Sequence, residues 1–326
     1  MSQDHVNYWN LLNQRTGRSW NRFWFAPSDP LPLCFLRLAV GLLSLAYLFS
    51  FNHDLVRLFA ADGLMSTETM EAIRGEAAIQ GWIYFSVLDL ATTPGILWMV
   101  HVVSALILIL FTLGVFTRTT SVLSLLVVLS YIHRQPVLTG PFEPVLSMLL
   151  LYLCLGPCGA YLSVDRWRAA TQGVAKVGGE GAACWTATVS LRLIQLHCVG
   201  FYLLMGLSKL AGQVWWEGAA VWVLMSQVRS RPIDLTFLRE QRFVLEAWTH
   251  AIVAFELVFP VLVWKPLLRP LLLGLALGMW ILLALLTGLA GFGLVMLVAS
   301  AAFLPPKFYQ RLAQRFPGAD RLLAMV

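Results

Sequence analysis

The stretch RLIQLHCVGFYLLMGLSK, Arg192–Lys209, decides how the chain folds. It is apolar over most of its length and long enough for the roughly 20-residue run that a bilayer core requires. On a helix turning about 100° per residue, Gln195, Tyr202 and Lys209 fall about −60°, −80° and −100° from Arg192. They form one polar stripe at heptad spacing. A helix facing lipid gains nothing from such a stripe, so it turns the stripe towards other helices. His197 points elsewhere and reads as a packing histidine. The stretch is therefore one helix of a membrane bundle.

Composition extends that reading to the whole chain. The sequence has 326 residues, is 59% hydrophobic and 12% charged, and its mean hydropathy is +0.74. A soluble domain cannot hide that much apolar surface. The expectation is an all-α, polytopic membrane bundle of about eight spans, near 33–51, 94–115, 119–133, 143–162, 187–208, 245–264, 267–287 and 289–304. Amphipathic interfacial helices fill the acidic loop between the first two spans. The organisation expected is an interfacial segment over 1–30, a membrane domain over 31–306 and a tail over 307–326. The polar, basic and aromatic start of the chain reads as no cleavable signal peptide. GVAKVGGEGAACW, 173–185, reads as a Gly/Ala connector.

Charge gives orientation. An N-inside arrangement leaves 13 Lys and Arg outside the spans on the inner side and 8 on the outer side. Both termini are then cytoplasmic, in a bacterial inner membrane. The net charge of +6 follows from this topology and favours anionic headgroups. No basic, aromatic-interleaved surface calls for a nucleic acid. Five cysteines read as small buried residues. Histidines on separate spans, without ligand spacing, point to no metal.

Several polar residues sit where a membrane makes them costly, about 2.5–3.5 kcal/mol for a charge at bilayer centre. Arg37 and Arg192 lie near span ends, where snorkelling and a bundle-interior role both remain open. Glu256, deep in its span, is too short to snorkel. It calls for a partner (Arg37, Arg192, a hydroxyl or a backbone group) or for a proton. SYIHRQPVLTGPFEPVLSMLL, 130–150, breaks its apolar pattern and sets His133, Arg134 and Glu143 at a membrane face, as irregular backbone does where it lines a cavity. Asp165 beside Arg166 reads as a surface ion pair. Lys209 is followed at once by Trp215, Trp216 and Glu217, so it is either a snorkelling anchor or a base in a pocket. The tryptophans either flank a ring or belong to an interfacial belt.

Seven segments in order carry a resemblance: DPLPLCFLRLAVGLL (29–43), FAADGLM (59–65), GVFTRTTSVLSLL (114–126), HRQP (133–136), LSVD (162–165), GLSKLAGQVWWEG (206–218) and FELVFP (255–260). Together they resemble the horizontally transferred transmembrane (HTTM) family, which includes the vitamin K-dependent gamma-carboxylases, over about residues 25–306. The resemblance implies a membrane-embedded enzyme using a reduced, vitamin K-like hydroquinone. In it a lysine begins oxygenation of the hydroquinone, the strong base so formed takes a proton from a glutamate gamma carbon, and carbon dioxide adds. That lysine matches Lys209. An apolar, low-dielectric setting suits the role, because burial weakens a lysine's hold on its proton.

The candidate site is then Lys209, Glu143 and Glu256 as catalytic groups, with Tyr202, Trp215, Trp216, Glu217, Arg37, Arg134, Gln195 and Arg192 around a bound quinone. The sequence departs from the family in two places. GPFEP (140–144) stands where the family has an Asn-His pair, and Trp280 stands near a family histidine. A large lumenal substrate-binding domain is also absent from this reading. The rival expectation is a non-catalytic lipid-binding or assembly protein on the same fold. Partners implied are a membrane lipid or quinone and a membrane or periplasmic protein.

Overall fold

The computed structural model describes residues 2–64, 86–172, 183–226 and 240–315, with isolated positions 66, 68, 69, 72 and 238. Most of the 173–185 connector, much of the first loop and the last residues of the tail lie outside the described residues. So does the middle of the 209–244 loop. Those described form helices joined by turns, with one isolated β-bridge between Ser28 and Cys184. In chain order the helices are α1 Ser2–Phe25, α2 Leu31–Phe49, α3 Leu55–Phe59, α4 Pro94–Leu113, α5 Thr117–Arg134, α6 Phe142–Leu155, α7 Val164–Thr171, α8 Trp185–Leu210, α9 Gln213–Trp216, α10 Ala220–Ser226, α11 Arg242–Leu262, α12 Arg269–Thr287, α13 Ala290–Ala301 and α14 Pro306–Ala313.

Five of these, α2, α4, α8, α11 and α12, are long and apolar enough to cross a membrane. The pair α13 and α14, bent by 110°, makes up to a sixth. The expected eight are thus not all matched. α5 covers the expected third segment, but hydroxyls and basic residues at its ends dilute it. α6 ends at Leu155, seven residues before the expected limit, because Gly156 and Pro157 turn the chain away. α4 and α12 present Met99, Val102, Leu106, Leu271, Leu275 and Ile281 outwards, the surface a lipid phase would cover.

The helices run alternately up and down, so the bundle has two ends. The proximal end carries the start of α2 and α8. Here Arg37, wholly buried, donates from Nη1 to the Cys158 carbonyl at 2.9 Å and from Nη2 to that of Leu162. Gly114 lets it in: φ is +74°, and a Cβ there would sit 2.6 Å from Nη1. Asp165 caps α5, accepting from the Phe116 and Thr117 amides at 2.9 and 2.8 Å, and does not simply pair at the surface. At the distal end Arg134, equally buried, donates to the Phe59 and Ala60 carbonyls and lies 3.6 Å from Asp89. Beside it a hydrogen-bonded chain runs inward from exposed Asn52 through His101 to Tyr131, at 2.7 and 2.8 Å.

Candidate functional site

The site forms where α8 meets α11. The two helices pack antiparallel, and Gly206 sets how closely. A Cβ on Gly206 would lie 2.9 Å from Leu257 Cδ2 and 3.3 Å from Glu256 Cβ. Small residues at such crossings let backbones approach. The close approach brings Lys209, at the end of α8, against Glu256. Lys209 Nζ donates to both carboxylate oxygens, at 2.7 and 2.6 Å. The lysine side chain is 17% exposed and the glutamate 1%. Pro260 lies one turn beyond Glu256 and has no amide hydrogen, so the Glu256 carbonyl lacks its usual helical donor.

The pair faces a cavity of about 190 Å³, framed by Trp215, Trp280 and Phe292 with Ile252 and Met205. The short α9 brings the chain back over α8, placing the Trp215 ring 5.1 Å from Lys209 Nζ. A cation over an indole face is held by the ring quadrupole. Trp280 is fixed from behind. Its Nε1 donates to Tyr202 Oη at 2.7 Å, and Tyr202 lies 3.2 Å from Ser300 Oγ and leans against Phe259 with centroids 4.2 Å apart. Edge-to-face contact with Phe292 at 5.0 Å completes the frame. A paired Lys and Glu carry no net charge, so the cavity is an apolar chamber with one donor and one acceptor at its wall.

The structure gathers some expected residues and separates others. Lys209, Glu256 and Trp215 line the cavity, and Tyr202 stands one layer behind it. The partner of Glu256 is Lys209, in place of the arginines expected: Arg37 and Arg192 are spent at the proximal end. Arg192 donates to the Phe23 carbonyl at 3.3 Å and to Gln195 Oε1 at 2.9 Å, while Gln195 donates to the Ala302 carbonyl at 2.8 Å. The stripe Gln195, Tyr202, Lys209 does face inwards, but it spans the bundle and does not line one site. Glu143 is taken by its own helix start, accepting from the Gly140 amide at 2.8 Å. Arg134 holds the distal loop. Trp216 is exposed and donates to the Leu210 carbonyl at 2.6 Å. Glu217 points to the outside, where Gln213 donates to it at 2.6 Å. His197 is exposed, but it lies 2.6 Å from Tyr152 Oη and packs against the Tyr152 and Phe201 rings, as a satisfied packing histidine does.

Sequence reasoning missed Phe292, Ile252 and Met205 as lining groups, since nothing separates a cavity-lining apolar residue from a core one in a sequence. It also missed His101, whose signal was present: a histidine inside the most apolar span. No protein-family model matches the chain, no characterised protein matches its sequence, and no solved structure matches its fold.

Proposed function

We propose that the chain is a membrane-embedded, vitamin K-dependent carboxylase-like protein of the HTTM type. In this reading it binds a quinone or isoprenoid lipid in the distal cavity, with Lys209 as the base. One observation carries the proposal: a Lys209–Glu256 pair, its glutamate buried and its lysine partly so, opens onto an aromatic chamber. A quinone carbonyl would accept from Lys209 and a hydroquinone hydroxyl would donate to Glu256, so both oxidation states find a partner. The chamber is smaller than the roughly 300–1,000 Å³ of sites that enclose a whole ligand. It suits a ring headgroup whose tail leaves between the helices. Transfer of one proton from Lys209 to Glu256 produces a neutral amine and a carboxylic acid with no change in net charge. The amine thus becomes available as a base without a bare charge in a dry site.

The bundle crosses a bacterial inner membrane eight times, α5 and α6 included, with both termini cytoplasmic and the cavity at the outer face. A second reading, a non-catalytic lipid-binding or assembly protein, is favoured by Trp280 and Glu143. An inert indole and a carboxylate occupied as a helix cap stand where the resemblance calls for histidine chemistry. Extraction and mass spectrometry of lipids that co-purify with the chain test the proposal. Wild type is expected to carry a quinone, and Ala284→Trp, which fills the cavity wall, to carry none. Equal quinone in both would refute it. Quinone bound without oxygen uptake on reduction would favour the second reading.

A further inference from the structure

The proximal end holds two arginines that the cavity does not use. Arg192 sits roughly 25 Å along α8 from Lys209, at 1.5 Å per residue. Its guanidinium carbon lies 4.5 Å from the Phe23 ring centroid and 5.9 Å from that of Trp264, at the end of α11. Arg269, opening α12, donates from Nε to the Val263 carbonyl at 3.1 Å. The two guanidinium groups therefore flank the same Val263–Trp264 corner.

Neither arginine is balanced. Among the described residues no carboxylate pairs with Arg192 or Arg269, and Arg192 Nη2 and both Nη atoms of Arg269 donate to nothing. Two described acidic side chains of this end are occupied elsewhere. Asp165 caps α5, and Asp29 accepts from the Leu31 amide and from Gln310. Arg22, just before Phe23, and Lys265, in the turn between α11 and α12, add positive charge to the rim. Two like charges in a half-buried niche, which keep Arg192 Nη2 and both Arg269 Nη atoms as unused donors among the described residues, describe a receptor for a tetrahedral anion.

We propose that Arg192 and Arg269 form a binding site for the phosphate of an anionic phospholipid, separate from the Lys209 cavity. A lipid is favoured over a free anion by what surrounds the niche. Leu267 and Leu271, on either side of Arg269, are 88% and 61% exposed, an apolar flank for an acyl chain. α8, α11 and α12 are all long enough to cross a membrane, so their shared end lies at headgroup depth. Phe23 and Trp264 hold the Arg192 fork in place before the lipid arrives.

The test titrates the purified, delipidated full chain with phosphatidylglycerol, phosphatidylcholine and inorganic phosphate, read by native mass spectrometry. The variants are Arg269→Gln, Arg269→Lys and, as a charge control on the same end, Lys307→Gln. Phosphatidylglycerol is expected to bind at least ten-fold tighter than phosphatidylcholine. That preference should fall to near unity in Arg269→Gln, recover in part in Arg269→Lys and persist in Lys307→Gln. Equal binding of the two lipids, or a preference unchanged in Arg269→Gln, overturns the site. Inorganic phosphate that displaces the lipid at similar concentration overturns the lipid assignment in favour of a free anion. Arg269→Gln is used in preference to an Arg192 variant because Arg192 also ties α1 to α8.

Discussion

Lys209 and Glu256 hold each other in a place where neither is stable alone. Removing one partner of a buried pair typically costs about 3–5 kcal/mol, because the other charge stays behind; replacing both with apolar residues is often neutral. Lys209→Met and Glu256→Leu are each expected to lose about that much stability. The double variant should recover most of it. Unfolding in detergent, run as a double-mutant cycle, measures this. Additive losses would mean that the two side chains are not coupled. Arg37 presents the opposite case, a cation without a carboxylate whose two Nη groups are held by carbonyls. Arg37→Met would leave the Cys158 and Leu162 carbonyls without donors, at about 1–3 kcal/mol for each buried group.

At the scale of the helices, the register of α8 against α11 makes the site. Gly206→Ala places a methyl against Leu257 and Glu256, and overpacking of this kind costs about 1–3 kcal/mol. It should also weaken ligand retention by parting Lys209 from Glu256. Gly200→Ala, on the same helix with nothing within 4 Å, is expected to stabilise by up to about 1 kcal/mol. Thermal unfolding of the two variants checks both signs together. This register explains what the sequence revealed and what it hid. The inward stripe on α8 follows from helical period, a local property, and Gln195, Tyr202 and Lys209 do face the bundle. The pairing of Lys209 with Glu256 joins residues on separate helices and depends on a glycine crossing, so no window of sequence contains it. Glu143 misled for a related reason: a carboxylate at a membrane face and a helix-capping carboxylate look alike until Gly140 is seen beneath it. The short α6 was foreseeable from Gly156-Pro157, whose turn outweighs the apolar run beyond.

For the whole molecule, the distribution of charge and the two-ended bundle make a joint prediction. The cavity lies at the distal end, with residues 209–226, and the arginine niche lies at the proximal end. If the inner loops are the more basic ones, single cysteines introduced over 220–226, on a cysteine-free background, should react with an impermeant reagent in intact cells. Cysteines near Lys307 should react only after lysis. The reverse pattern would invert the bundle and put the cavity on the cytoplasmic side. The most direct measurement of what the cavity does compares wild type, Lys209→Arg and Lys209→Ala for bound quinone and for oxygen uptake with reduced quinone. Arginine keeps a cation beside Glu256 but does not give up its proton. Lys209→Arg is therefore expected to fold and to lose turnover as completely as Lys209→Ala. Lys209→Arg with wild-type quinone content and wild-type turnover would contradict a role for Lys209 as base and leave it a membrane anchor.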